Sequence, residues 1–181
     1  GGVFVERFAA LGGLGALLET LHASAGDEAS QVAGLGVLGH ASLLERDVTR
    51  LSAPRAARAA LAALSRHARS PKLVGLAALS LVNIAHRDKT AAGAIADGGG
   101  CHLLVSALYG LSGADKDVAA AHAAGAWALG ALAPLHGLKD DGSSTWLAFA
   151  VQHAGAPDLL DEVQARFPNA PAARNAKLAR S

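Results

Sequence analysis

Residues 77–85 read Ala77-Ala78-Leu79-Ser80-Leu81-Val82-Asn83-Ile84-Ala85, and residues 124–133 read Ala124-Gly125-Ala126-Trp127-Ala128-Leu129-Gly130-Ala131-Leu132-Ala133. Both are small-residue apolar runs free of charge and proline, and a related run spans Leu35 to Ala41. A second set of anchors precedes them: Gly13-Leu14-Gly15-Ala16-Leu17-Leu18, Ala56 to Leu61, Gly99-Gly100-Cys101-His102-Leu103-Leu104 and Gly155 to Leu160. They recur at about 43 residues, with a stretched last interval, and a fixed period of that size is the mark of a helical repeat array.

Each period divides into a short helix, a tight turn, a second helix, a loop and a longer third helix. The expected triplets are 3–11, 14–23 and 28–41; 43–52, 55–68 and 71–86; 88–97, 100–111 and 116–133; 145–154, 156–167 and 170–180. They group into units 1–42, 43–87, 88–133 and 145–181, with an insertion loop over 134–145. Gly12-Gly13, Ser52-Ala53-Pro54, Gly98-Gly99-Gly100 and Gly155-Ala156-Pro157 punctuate the steps from first to second helices. Pro71 and Pro171 stand where third helices begin, a position at which a missing N–H costs nothing. In the second unit, at about 100° per residue, Arg55, Arg58, Arg66 and Arg69 fall within about 80° of one another, and Ala57, Ala60, Leu61 and Leu64 share the opposite side.

Composition agrees with thin, close-packed helices. Roughly a quarter of the chain is Ala and roughly a sixth Leu, and there are two Trp, one Tyr and four Phe, a poor supply for the β-branched and aromatic pattern of a sandwich or barrel. A hydrophobic fraction of 51% with 17% charged residues excludes a disordered chain. Cys101 is the only cysteine, so no intrachain disulfide forms and a reducing intracellular compartment is expected. Val118 to Leu138 is uncharged, but His122, His136 and Pro134 interrupt it, which favours a buried helix over a membrane span.

The Gly-Gly-x-x-x-Leu-Leu of residues 98–104 and 12–18, together with the Ala-x-Ala-Leu-x-Asn-Ile-Ala-like third helices at 77–85 and 124–133, resembles the armadillo repeat family. HEAT repeats, their two-helix cousins, are the near alternative. The resemblance covers essentially the whole chain and is strongest from Lys72 to Ala133. It implies an all-α, right-handed solenoid of about four three-helix repeats whose third helices line a concave groove. No polar cap is seen at either end and methionine is absent, so the chain is expected to be part of a longer array.

Several motifs imitate chemistry. Gly34-Leu35-Gly36-Val37-Leu38-Gly39 spells the dinucleotide fingerprint, yet it lacks a preceding strand and an acidic residue about 20 positions on. Its glycines imply a weak helix or unusually close neighbours. Cys101 and His102 are adjacent in a helix and therefore point about 100° apart, unlike a nucleophile and its base. The eight histidines contain no pair at i, i+3 or i+4, so no metal and no cofactor is expected.

In importin-alpha-like members of the family, Trp and Asn four residues apart on the third helix hold an extended peptide. At the matching positions this chain has Leu35 and Gly39, Leu79 and Asn83, Trp127 and Ala131, so no unit carries both. Leu79, Asn83 and Trp127 are the groove candidates. Charge marks a second surface: residues 1–45 carry one base against five acids, 46–89 nine against two, and 90–181 six against eight. The Arg55, Arg58, Arg66 and Arg69 stripe thus stands on a basic island, suited to an acidic partner such as a tubulin-like tail or an acidic subunit. Aromatic residues are lacking there, which disfavours nucleic acid.

The expected function is non-catalytic: a protein-interaction scaffold or structural subunit of a multi-subunit complex, cytoplasmic or cytoskeletal, for instance in a cilium. An importin-alpha-like cargo receptor and a helical-repeat enzyme such as a HEAT-like lyase are the rivals.

Overall fold

The computed structural model describes residues 7–44, 53–113, 115–132 and 155–168. Among them the chain is all-helical, with no strand. The expected helices at 43–52, 145–154 and 170–180 and the insertion loop lie wholly or almost wholly outside the described residues.

Residues 7–10 are helical and lead to α1, Gly13–Ala23, and α2, Glu28–Leu44. Then follow α3 (Ala53–Arg66), α4 (Pro71–Arg87), α5 (Lys89–Asp97), α6 (Gly100–Gly110), α7 (Lys116–Leu132) and α8 (Ala156–Arg166). The three long helices, α2, α4 and α7, have 17 residues each and form one layer in which α4 packs between the other two. The shorter α1, α3, α6 and α8 form a second layer behind it, and α5 wedges among α3, α4 and α6. Helix α4 is apolar nearly all round because it is central. Leu73, Val74, Ala77, Ala78, Leu81 and Val82 are fully buried, which leaves only Lys72, Leu79 and His86 exposed, seven residues apart.

Two kinds of helix start separate the layers. The long helices are capped by side chains: Asp27 Oδ2 accepts from the Ser30 N–H at 3.0 Å, Ser70 Oγ from Leu73 at 3.4 Å, and Asp115 Oδ1 from Val118 at 2.9 Å. Helices α1, α6 and α8 instead begin after Gly12, Gly99 and Gly155, all in the left-handed region at φ 78°, 66° and 79°. A β-carbon is strained there, so these turns require glycine.

Helix C-termini are satisfied from the following elements. Buried Gln31 donates to the Leu21 and Ser24 carbonyls at 2.7 and 3.1 Å, Arg87 to Leu43 at 2.7 Å, and Arg166 to Leu111 at 3.2 Å and to Gly113. His67 Nε2 donates to Ala25 at 2.8 Å, and the Ser70 hydroxyl donates to Glu28 Oε1 at 2.5 Å. With Ser80 to the Leu35 carbonyl at 3.2 Å and Asn83 to Gly39 at 3.3 Å, these bonds join residues 42 to 45 apart in sequence. Ser70, Ser80, Asn83 and Arg87 reach Glu28, Leu35, Gly39 and Leu43 in the same chain order, so α2 and α4 run parallel.

The glycines of the 34–39 run sit inside α2 and divide by role. A methyl group at Gly34 would fall 2.5 Å from Leu21 Cδ2, and one at Gly39 3.0 Å from Ser80 Oγ. Close approach, one of the two outcomes the sequence implied, is the reason for both. Gly36 faces open space and has no such reason.

Candidate functional site

Two surfaces carry the residues singled out by sequence. The first is the outer face of the long-helix layer. Leu79 on α4 and Trp127 on α7 are 38% and 39% exposed, on adjacent helices. Trp127 is two residues beyond Gly125, about 200° round the helix. Gly125 meets Leu108 of the rear layer, so the indole is turned outward. Asn83 is half-buried, and its amide is engaged with the Gly39 carbonyl. Leu35, which the sequence spacing set beside Leu79, is fully buried, and the exposed large apolar residues of α2 are Val37, at 46%, and Leu43, at 51%. Neither was singled out from the sequence, because the comparison of third helices weighed only the positions equivalent to Leu79 and Asn83.

The second surface is the arginine stripe. On α3 the arginines are exposed while Ala57, Ala60, Leu61 and Leu64 are buried, as the helical phase requires. Helix α3 ends at Arg66, so Arg69 belongs to the turn before the Ser70 cap, beyond the helical stripe. Arg55, Arg58 and Arg66 line a cleft of about 810 Å³ between α3 and α1. Its opposite wall includes Leu18, Glu19, Leu21 and His22, and Ala59 and Ala62 lie along the arginine wall. Arg55 Nη2 donates to Glu19 Oε1 at 2.6 Å, whereas Arg58 and Arg66 have no acidic partner among the described residues. Glu19 escaped the sequence reading, since its pairing with Arg55 spans 36 positions; the acidic balance of the first 45 residues beside a basic island was its only trace.

Two titratable groups elsewhere, Cys101 and His122, are buried. Cys101 is buried, which pushes its thiol up to about 11, while His102 is exposed; the two do not form a reactive pair. His122 is buried, with Nδ1 donating to the Val118 carbonyl at 2.9 Å and its ring 5.3 Å from that of Phe167. Burial holds its pKa below the ordinary value, and the Arg166 charge acts in the same direction. Among the described residues no single helix is long and apolar enough to cross a membrane. Comparison with family models, with curated proteins and with solved structures finds no match to this chain.

Proposed function

We propose that the chain is an armadillo-type α-solenoid acting as a non-catalytic protein-interaction scaffold or structural subunit. In this reading the long helices α2, α4 and α7 are third helices, and their outer face is the partner-binding groove. The observation that carries the reading is the placement of Leu79 and Trp127, exposed large apolar side chains on adjacent helices of one layer. Single exposed apolar residues are ordinary, but a pair on neighbouring packed helices marks a contact surface. The arginine-lined cleft on the other layer provides a second, electrostatic contact. Such a protein works by rigid display: burial of Ala and Leu fixes the helices, and the exposed residues are held at set spacings. A multi-subunit intracellular assembly, cytoskeletal or ciliary, is the setting this reading favours.

The test is site-specific photo-crosslinking. A benzoylphenylalanine placed at Trp127 or Leu79, in protein expressed in its native source, is expected to give discrete crosslinked partners. The same residue at His102, on a short helix, is expected to give none of them. Recovery of free monomer alone, with a turnover activity, would overturn the reading.

A further inference from the structure

The cleft between α1 and α3 has the size of a ligand-binding site, yet its charges are spread too widely for a compact anion. Arg55 and Arg66 are eleven positions apart on one helix, about 16 Å at 1.5 Å per residue, and Arg58 and Arg66, the two without an acidic partner among the described residues, are about 12 Å apart along the axis. Between them the α3 wall presents Ala59 and Ala62, small residues that allow another backbone to approach. The opposite wall is Leu18 and Leu21 with His22 at the rim. A channel between two helices, small along its floor and basic along one edge, fits a third helix.

We infer that this cleft docks an acidic amphipathic helix of a partner protein, with two carboxylates about eight residues apart on Arg58 and Arg66 and an apolar side chain over Ala59 and Ala62. Eight residues of helix rise about 12 Å, the same as the arginine separation, so one face presents both carboxylates in register. Glu19 sets the specificity. It neutralises Arg55 and repels any third negative charge at that end, so a uniformly anionic ligand such as a nucleic-acid strand is penalised while a helix with two placed carboxylates is not. Base stacking has no large platform, because no Phe, Tyr or Trp lines the cleft among the described residues. The inference rests on the scaffold reading and adds to it the partner's chemistry.

The test uses a fluorescein-labelled synthetic helix of Glu, Ala and Leu with two Glu residues eight positions apart, titrated with the chain and followed by anisotropy. The Arg58→Glu/Arg66→Glu variant is expected to bind at least about tenfold more weakly, because it replaces attraction by like-charge repulsion. The control Lys72→Glu, on the exposed edge of α4, has the affinity of the unaltered chain. Glu19→Gln frees Arg55 and tightens binding about two- to fivefold, a modest gain because the pair is exposed. Circular dichroism of each variant shows that the helices are intact. Equal losses in Lys72→Glu and the double variant, tighter binding of oligouridylate than of the peptide, or no binding by the unaltered chain would each overturn the inference. If the peptide fails while the Trp127 crosslinks persist, the cleft is wrong and the scaffold stands; if both fail, the scaffold falls as well.

Discussion

The Asn83 side-chain amide donates to the Gly39 carbonyl across the α2–α4 interface at 3.3 Å, so the residue expected to face a bound peptide is also a tie between neighbouring long helices. A side-chain amide carries two N–H donors and an acceptor oxygen, so the tie to Gly39 uses one donor only. Asn83→Ala is expected to lower stability by about 1 kcal/mol through the lost bond. Urea unfolding against the unaltered chain checks it; an unchanged midpoint means the tie contributes nothing.

Gly34 and Gly36 should respond oppositely to the same change. At Gly34 an added methyl meets Leu21, itself buried, so Gly34→Ala is expected to destabilise by about 1–3 kcal/mol through overpacking. At Gly36 nothing stands within 4 Å, and Gly36→Ala gains about 0.5–1 kcal/mol from reduced chain entropy and better helix propensity. Thermal melts of the two variants, run side by side, read the sign directly.

Ser70 joins two elements at one hydroxyl, accepting from Leu73 at the start of α4 and donating to Glu28 at the start of α2. Ser70→Ala removes both bonds and is expected to cost about 1–2 kcal/mol, against about 1 for an ordinary cap. A double-mutant cycle with Glu28→Ala separates the parts: a coupling near zero would show that the hydroxyl acts as a cap alone.

His122 makes stability depend on pH with a defined sign. Burial depresses its folded pKa below the ordinary value of 6.5, so the unfolded chain binds the proton first as pH falls. Its contribution is therefore intact above 6.5 and is lost progressively below, down through the folded pKa. The midpoint of thermal unfolding should fall between pH 7 and pH 5, and His122→Leu should flatten that decline. An equal decline in the variant would assign the effect to other groups.

Cys101 should be chemically quiet. With its thiol raised to about 11, the reactive thiolate is scarce at pH 8, and burial restricts access. Alkylation by iodoacetamide is expected to be more than about a hundredfold slower in the folded chain than in urea. Comparable rates would place the thiol at the surface.

The helices themselves are local events, and so they were legible in the residues. The arginine phase of residues 55–66 predicts which face of α3 is buried, and Gly12, Gly99 and Gly155 announce the entries to α1, α6 and α8 through their freedom at positive φ. The Asp27, Ser70 and Asp115 caps were equally local, each a side chain reaching an N–H three residues on, and went unread beside the louder glycines.

Contacts between units were not legible, because they depend on how far one helix slides and rolls against the next. Sequence spacing set Leu35 beside Leu79, but the register of the Ser80, Asn83 and Arg87 bonds turns Leu35 inward and leaves Val37 and Leu43 exposed. Charge counting identified a basic island without distinguishing its members. The packing of α1 against α3 brings Glu19 onto Arg55 and leaves Arg58 and Arg66 without an acid among the described residues. Helix type, phase and caps follow from interactions within a few residues, whereas the choice of which charges stay free rests on pairings more than thirty positions apart that exist only once the helices stack.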